Sequence, residues 1–157
     1  MTIVPEPEWP RLDLFTYNGI RVSLAANQHL LGWLIIFPAS EVENSLVHLP
    51  ENELLDFKKV GLLCEKLLSE TFNAEWFNYL QEGNGVKRIH IHLHPRYSFS
   101  TDFAGFKFTD EGFGRKVKFL QPNDLPPKDV VFNVVSHLRD KLKTMDIGDL
   151  NIQICSE

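Results

Sequence analysis

The sequence predicts one α+β domain whose sheet is mainly antiparallel, with about five strands, one long helix and a shorter C-terminal helix. Three observations carry this. Short runs with strand-like alternation or β-branched content recur between turn residues. Two longer stretches repeat their apolar residues at helical spacing. The two kinds of segment do not alternate regularly, as the units of a doubly wound parallel sheet would.

The first dozen residues hold three prolines and are expected to wrap the surface as an extended arm. Regular structure is expected from the turn dipeptide Asn18-Gly19, followed by Ile20-Arg-Val-Ser-Leu24, which alternates as a half-buried strand. Trp33-Leu-Ile-Ile-Phe37 is a short apolar run stopped by Pro38, a buried strand by its length. The long helix is predicted over about 50–71. Pro50 suits a first helical turn, Glu51 and Glu53 suit the positive end of the dipole, and Phe57, Val60, Cys64 and Leu67 recur on one face. Trp76–Leu80 reads as a strand, Glu82-Gly-Asn-Gly85 as a tight turn, and Arg88-Ile-His-Ile-His-Leu-His94 as a strictly alternating strand ended by Pro95. A glycine-bearing loop over 98–115 has no assigned role. Val131, Val134, Val135, Leu138 and Leu142 share one face of a second helix over 128–142. The whole is read as a single domain over 1–157, its core about 18–142, with the arm at 1–17 and a weakly determined tail at 143–157.

Composition narrows the function classes. In 157 residues, 43 % apolar and 24 % charged side chains are ordinary globular usage. Sixteen basic against 21 acidic residues leave a net charge of −5, with no basic excess for a nucleic acid duplex. Cys64 and Cys155 lie far apart and form neither a zinc knuckle nor a redox pair; Cys64 is read as a buried thiol. The N-terminal stretch is acidic and proline-rich, unlike a signal peptide, and no apolar run has the length of a membrane span. A soluble cytoplasmic protein is expected.

The chemistry concentrates in residues 88–94. Successive strand side chains point to opposite faces, so Ile89, Ile91 and Leu93 share one face, and Arg88, His90, His92 and His94 share the other. Three alternating histidines arise by chance in about one chain in a hundred of this composition. Three readings follow. The face is merely solvated; or the histidines bind a metal, for which Arg88 is a poor neighbour; or a neutral imidazole attacks phosphorus and water hydrolyses the phosphoramidate. Arg88 and the backbone of the 83–85 turn would then favour a bound phosphate.

The segment from Phe77 to Tyr97, with Asn78-Tyr-Leu-Gln81, Gly83-Asn-Gly-Val86 and His-x-His-x-His-Pro-Arg-Tyr, resembles the signature region of the histidine-triad family of nucleotide hydrolases and transferases. Asn27-Gln-His-Leu-Leu-Gly-Trp-Leu-Ile-Ile-Phe-Pro38 and Leu49-Pro-Glu-Asn-Glu-Leu54 extend the likeness, in the right order, over roughly 18–125. Two registers are possible. Read directly, the triad is His90, His92 and His94. Counted from Pro95-Arg96 or from Asn84-Gly-Val86, it is Arg88, His90 and His92, with His94 in place of an apolar residue. Two anchors agree on the second register, which is preferred.

In that register the resemblance implies His90 as the nucleophile and His92 as the contact to phosphate oxygens and leaving group. Arg88 stands where the family has its first histidine, which orients the nucleophile; arginine cannot accept a hydrogen bond and is always charged. The resemblance further implies substrate contacts at Asn27, toward a ribose, and at Asn78, Gln81 and Asn84, toward phosphates, with Arg88 and His94 also on the substrate face. Each amide equally suits a turn or edge residue satisfying its own backbone. Trp33 and Phe37 either wall a base pocket or pack in the core. No cofactor and no metal are expected. The partners implied are a small nucleotide substrate and a second copy of the chain, with the sheet continued between them. The activity implied is cleavage at the α-phosphate of a nucleotide conjugate through a nucleotidyl-histidine: a dinucleoside polyphosphate, a phosphoramidate or a nucleotidyl sugar. Two alternatives stand beside it: a catalytically weak nucleotide-binding or scaffold protein, suggested by Arg88, and a metal-dependent hydrolase using His90, His92 and His94.

Overall fold

The computed structural model describes residues 4–41, 45–82, 85 and 88–156. Its strands are β1 (Asp13–Tyr17), β2 (Ile20–Leu24), β3 (Leu34–Phe37), β4 (Trp76–Gln81), β5 (Ile91–Arg96), β6 (Thr101–Phe103), β7 (Phe106–Phe108) and β8 (Gln153–Ile154). The helices are α1 (Glu51–Phe72) and α2 (Lys128–Thr144), with short 3-10 turns at Glu6–Leu12, Leu46–His48 and Pro122–Asp124. Six strands form one sheet in the order β4-β5-β3-β2-β1-β8, every pairing antiparallel, and β6-β7 is a separate hairpin. The α+β class, the antiparallel sheet and both helices agree with the sequence reading.

The chain ends differ from expectation. Residues 1–17 were expected as an arm outside the core, yet a 3-10 turn and strand β1 occupy 6–17. Leu12, Leu14 and Phe15 are at most 2 % exposed. Arg139 of α2, itself 5 % exposed, donates to the carbonyls of Asp13 at 2.9 Å and Arg11 at 3.0 Å and so clamps this segment. Asn18 and Gly19 join β1 to β2 with φ of 47° and 83°, as a two-residue hairpin turn requires. A side chain at Gly19 would also meet the Ala39 Cβ at 2.9 Å. The tail likewise enters the sheet: Ile154 pairs with Phe15, and the Cys155 N–H donates to the Leu14 carbonyl at 2.9 Å. With these two additions to the four strands named from the sequence, the sheet has six strands where about five were expected.

Strand parity separates the two faces. Val22, Leu24, Leu34, Ile36, Ile91 and Leu93 enter the core with Val60, Leu63, Cys64, Leu67 and Leu68 of α1 and the valine-leucine face of α2. Burial pushes the Cys64 thiol up, which leaves it inert. Ala25, Leu30 and Trp33 form a smaller cluster, packed with Ile35 and Val117. Glu53 in the first turn of α1 accepts from the Ser40 N–H at 2.8 Å, joining the end of β3 to the helix start.

The end of β5 is fixed by a buried ion pair. Arg96 and Asp110 have side chains 4 % and 1 % exposed and meet at 2.7 and 3.0 Å through two parallel bonds. The other three Arg96 N–H groups go to Asn78 Oδ1 (2.8 Å) and to the carbonyls of Arg115 (2.9 Å) and Gly112 (2.6 Å). All five donors of the guanidinium are used. The 98–115 segment, without a role in the sequence reading, thereby becomes the β6-β7 hairpin and a brace on β5. Among the described residues no helix is long and apolar enough to cross a membrane.

Candidate active site

The uncovered sheet face carries cross-strand rows. Arg21 of β2 pairs with Phe37 of β3, whose ring stacks on His90 at 6.0 Å. One row along, Ser23 pairs with Ile35 and Ile35 with His92. In the next, Trp33 meets His94 edge-on at 4.1 Å. Over the first two rows lies a cavity of about 550 Å³. Its walls are mostly apolar, with Trp9, Leu12, Ala25, Ile35 and Phe119 among them, and its polar groups are Arg21, Ser23, Asn27, His29, Glu82, His90 and His92.

The hydrogen bonds set the neutral tautomer of both histidines. His90 Nδ1 lies 2.8 Å from the Arg88 carbonyl oxygen. A carbonyl only accepts, so Nδ1 carries the hydrogen and Nε2 keeps its lone pair. His92 is the reverse. Its Nδ1 accepts the indole N–H of Trp33 at 3.0 Å, and since indole only donates, the neutral ring holds its hydrogen on Nε2. Burial, reinforced by His90 alongside, lowers the His92 pKa, so the ring is neutral at pH 7. One row thus presents a nucleophilic nitrogen, and the ring beside it, with centroids 5.1 Å apart, presents a donor.

Trp33 is held by backbone design. Gln28 is fully buried; its amide donates to the carbonyls of Ala25 (2.8 Å) and Trp33 (2.9 Å), and its Oε1 accepts the Gly32 N–H at 2.8 Å. Gly32 has φ of 82°, and a Cβ there would sit 2.6 Å from Leu68. The loop between β2 and β3 is therefore closed by one buried amide, and Asn27 and Trp33 emerge from it.

The residues singled out in the sequence are distributed as follows. His90, His92 and Asn27 line the cavity, and Asn27 Oδ1 is buried without a partner among the described residues. The Arg88 guanidinium turns aside to the Pro38 carbonyl (3.4 Å) and Glu41 (3.6 Å). The bond that orients the His90 ring comes from the backbone of residue 88, so the arginine side chain takes no part in it. Asn78 Oδ1 is bound to Arg96, and Gln81 Oε1 accepts from the Leu46 N–H at 2.9 Å. His94 is 3 % exposed beneath Trp33, its Nε2 unpartnered among the described residues, and burial lowers its pKa to about 4. Asn84 and most of the 83–87 turn lie outside the described residues. No group of three or more histidine, cysteine or acidic residues among the described ones is arranged to hold a metal ion.

Four cavity residues were not assigned to the site from the sequence. His29 stacks on Phe119 at 4.8 Å, and its Nδ1 accepts the Leu120 N–H at 2.9 Å, a bond spanning 91 residues. Trp9 arrives from the clamped N-terminal segment. Arg21 looked like the polar partner in an alternating strand, which is what any solvated strand shows.

No protein-family model matches the sequence, and no curated protein matches it either. Solved structures do. A hypothetical histidine-triad nucleotide-binding protein from Sulfolobus tokodaii is 17 % identical, with 83 % of this chain and 84 % of that one covered at a TM-score of 0.60. The chain has the histidine-triad fold. A Hit-like protein involved in cell-cycle regulation from Bartonella henselae, solved with an unknown ligand, is 14 % identical over 83 % of this chain and 85 % of that one, TM-score 0.58. A histidine-triad protein from Sinorhizobium meliloti is 19 % identical over 89 % and 97 %, TM-score 0.53. In this chain the strand bearing His92 and His94, β5, takes the sheet's second position, next to the edge strand β4.

Proposed function

We propose that the protein is a nucleotide hydrolase or nucleotidyl transferase that cleaves at the α-phosphate of a nucleotide conjugate. The observation that carries this is the His90 Nδ1–H bond to the Arg88 carbonyl, which leaves Nε2 free beside an apolar cavity. In the scheme, His90 Nε2 attacks the α-phosphorus and forms an N–P bond. The bond from phosphorus to the departing phosphate, sugar phosphate or amine breaks, and its electron pair leaves with that group. The Nε2–H of His92 donates to the oxygens or leaving group where charge develops. Water then attacks phosphorus, releases the nucleoside monophosphate and returns His90 to its starting form; an acceptor hydroxyl or phosphate in its place gives transfer. The unpartnered Oδ1 of Asn27 suits a ribose hydroxyl. No cofactor enters the scheme.

The alternative, a catalytically weak nucleotide-binding or scaffold protein, draws on Arg88; the backbone origin of the His90 bond supports the hydrolase or transferase reading over it. We further propose a homodimer. β4 is an edge strand, Trp76, Tyr79 and Leu80 on it are exposed, and so are Leu55 and Leu62, two turns apart on α1.

The test is mass spectrometry of protein quenched during turnover of a slow adenylate or guanylate phosphoramidate. A nucleotidyl adduct on His90, absent from His90→Ala, is expected. Full turnover by His90→Ala defeats the assignment.

A further inference from the structure

We propose that Arg21 reads the base of the bound nucleotide and that the cavity takes a 6-oxopurine, guanine or hypoxanthine, in preference to adenine. This rests on the nucleotide reading of the cavity. Arg21 lies in the same cross-strand row as His90, with Phe37 between them. Its guanidinium carbon sits 4.2 Å from the Phe37 ring centroid, and Phe37 stacks 6.0 Å from His90. The guanidinium is in the same cavity as the reacting histidine but one aromatic ring removed from it.

The group is oriented before any ligand arrives. One Nη donates to Asp13 Oδ1 at 3.0 Å, and Asp13 is itself held by the Ser23 hydroxyl. Phe37 supports the plane of the fork. The side chain remains 39 % exposed, and its other N–H groups meet no protein acceptor among the described residues. A fixed donor-only fork with unused hydrogens, in a cavity otherwise walled there by Leu12, Ile35 and Trp9, calls for a ligand edge that only accepts.

The ribose contact decides which part of the ligand that edge is. Asn27 follows the end of β2, and Arg21 lies at the strand's beginning. With phosphorus at His90 and the sugar at Asn27, the base lies over Ser23 and Ile35, and its far edge faces Arg21. Guanine and hypoxanthine present O6 and N7 there, two acceptors spaced for a bidentate guanidinium. Adenine presents N7 beside an amino donor, which opposes an N–H of the fork. Asp13, whose Oδ1 takes the bonds from Arg21 and Ser23, is not among the residues that line the cavity, so it offers that amino group no acceptor there.

Calorimetric titration with GMP, IMP and AMP tests this on the full-length protein, Arg21→Met and Arg21→Lys, each checked for a native melting transition. For the wild type, GMP and IMP are expected to bind alike and about 10-fold tighter than AMP, within the range of one bidentate base contact. Arg21→Met should bring the three to near equality by weakening GMP and IMP and sparing AMP. Arg21→Lys should retain part of the preference. Equal binding of AMP and GMP by the wild type overturns the proposal. So does an equal loss for all three in Arg21→Met, which would place the fork on phosphate or sugar. GMP far tighter than IMP would assign the reading to the 2-amino group and another residue. If no mononucleotide binds at all, the nucleotide reading of the cavity fails, and this inference falls with it.

Discussion

Replacing Trp33 by phenylalanine removes one hydrogen bond and leaves an aromatic ring against His94. The bond lost is the 3.0 Å contact from the indole N–H to His92 Nδ1. It is a neutral bond, worth about 1 kcal/mol net. Converted at 1.36 kcal/mol per tenfold, its full expression in the chemical step is roughly a fivefold fall in kcat. His92→Ala removes the donor itself and is expected to cost on the order of 10²–10³ in kcat, as loss of one transition-state donor does. Trp33 therefore acts through His92, and the two changes should not add: Trp33→Phe in a His92→Ala background should cost almost nothing further in kcat.

A second readout separates positioning from packing. A ring nitrogen that already accepts the indole N–H is harder to protonate, so removal of the bond should raise the His92 pKa, while burial and His90 continue to lower it. Nitrogen-15 NMR of the imidazole would follow both this shift and the loss of a fixed tautomer. The ring is smaller, so some loss of melting temperature is expected as well. A variant that loses stability, with kcat and the His92 titration unchanged, would refute the reasoning and reduce Trp33 to a wall.

Other expectations concern the frame around the site. Arg96→Met leaves the Asp110 carboxylate buried without its partner, so denaturant unfolding should show a loss of about 3–5 kcal/mol. His94 has its folded pKa lowered to about 4, so the unfolded chain takes up the proton first as pH falls from 6.5. The histidine has no effect above that pH and removes on the order of 3 kcal/mol by pH 4; His94→Leu should flatten this part of the stability profile. Leu62→Glu places a charge on the exposed α1 face and should shift sedimentation from dimer to monomer, and an unchanged dimer would move the interface elsewhere.

What was legible in the sequence was local. The Asn18-Gly19 turn, the apolar stripe of α1 and the alternation of Ile89, Ile91 and Leu93 each follow from a few adjacent residues. β1 was not legible because its anchor is Arg139, about 126 residues distant. A proline-rich segment gives no hint that a helix will clamp it. β8 is two residues long, below what a pattern can register. At the site, His90 and His92 were visible as a rare alternation. His29, Phe119 and Trp9 were not: Phe119 and Trp9 reach the cavity by long-range fold-backs, and His29 is held by the returning 119–120 segment. Arg96 read as part of a motif, and its burial with Asp110 depends on where the 98–115 segment returns.

Arg88 shows why side-chain identity alone misjudged the site. The sequence reading assigned the orientation of the proposed nucleophile, His90, to the side chain at position 88, and arginine could not perform it. The bond is made by that residue's carbonyl oxygen, a group every amino acid carries. What position 88 must supply is a backbone angle that turns its carbonyl toward His90 just before β5 begins. The side chain turns to Pro38 and Glu41 and takes no part in the bond. His92 has the opposite dependence. Its tautomer is set by a side chain, and only a residue with a donor at Trp33's position can set it. Tolerance to substitution should thus be wide at 88 and narrow at 33, although 88 is the one that falls on the histidine signature in the preferred register.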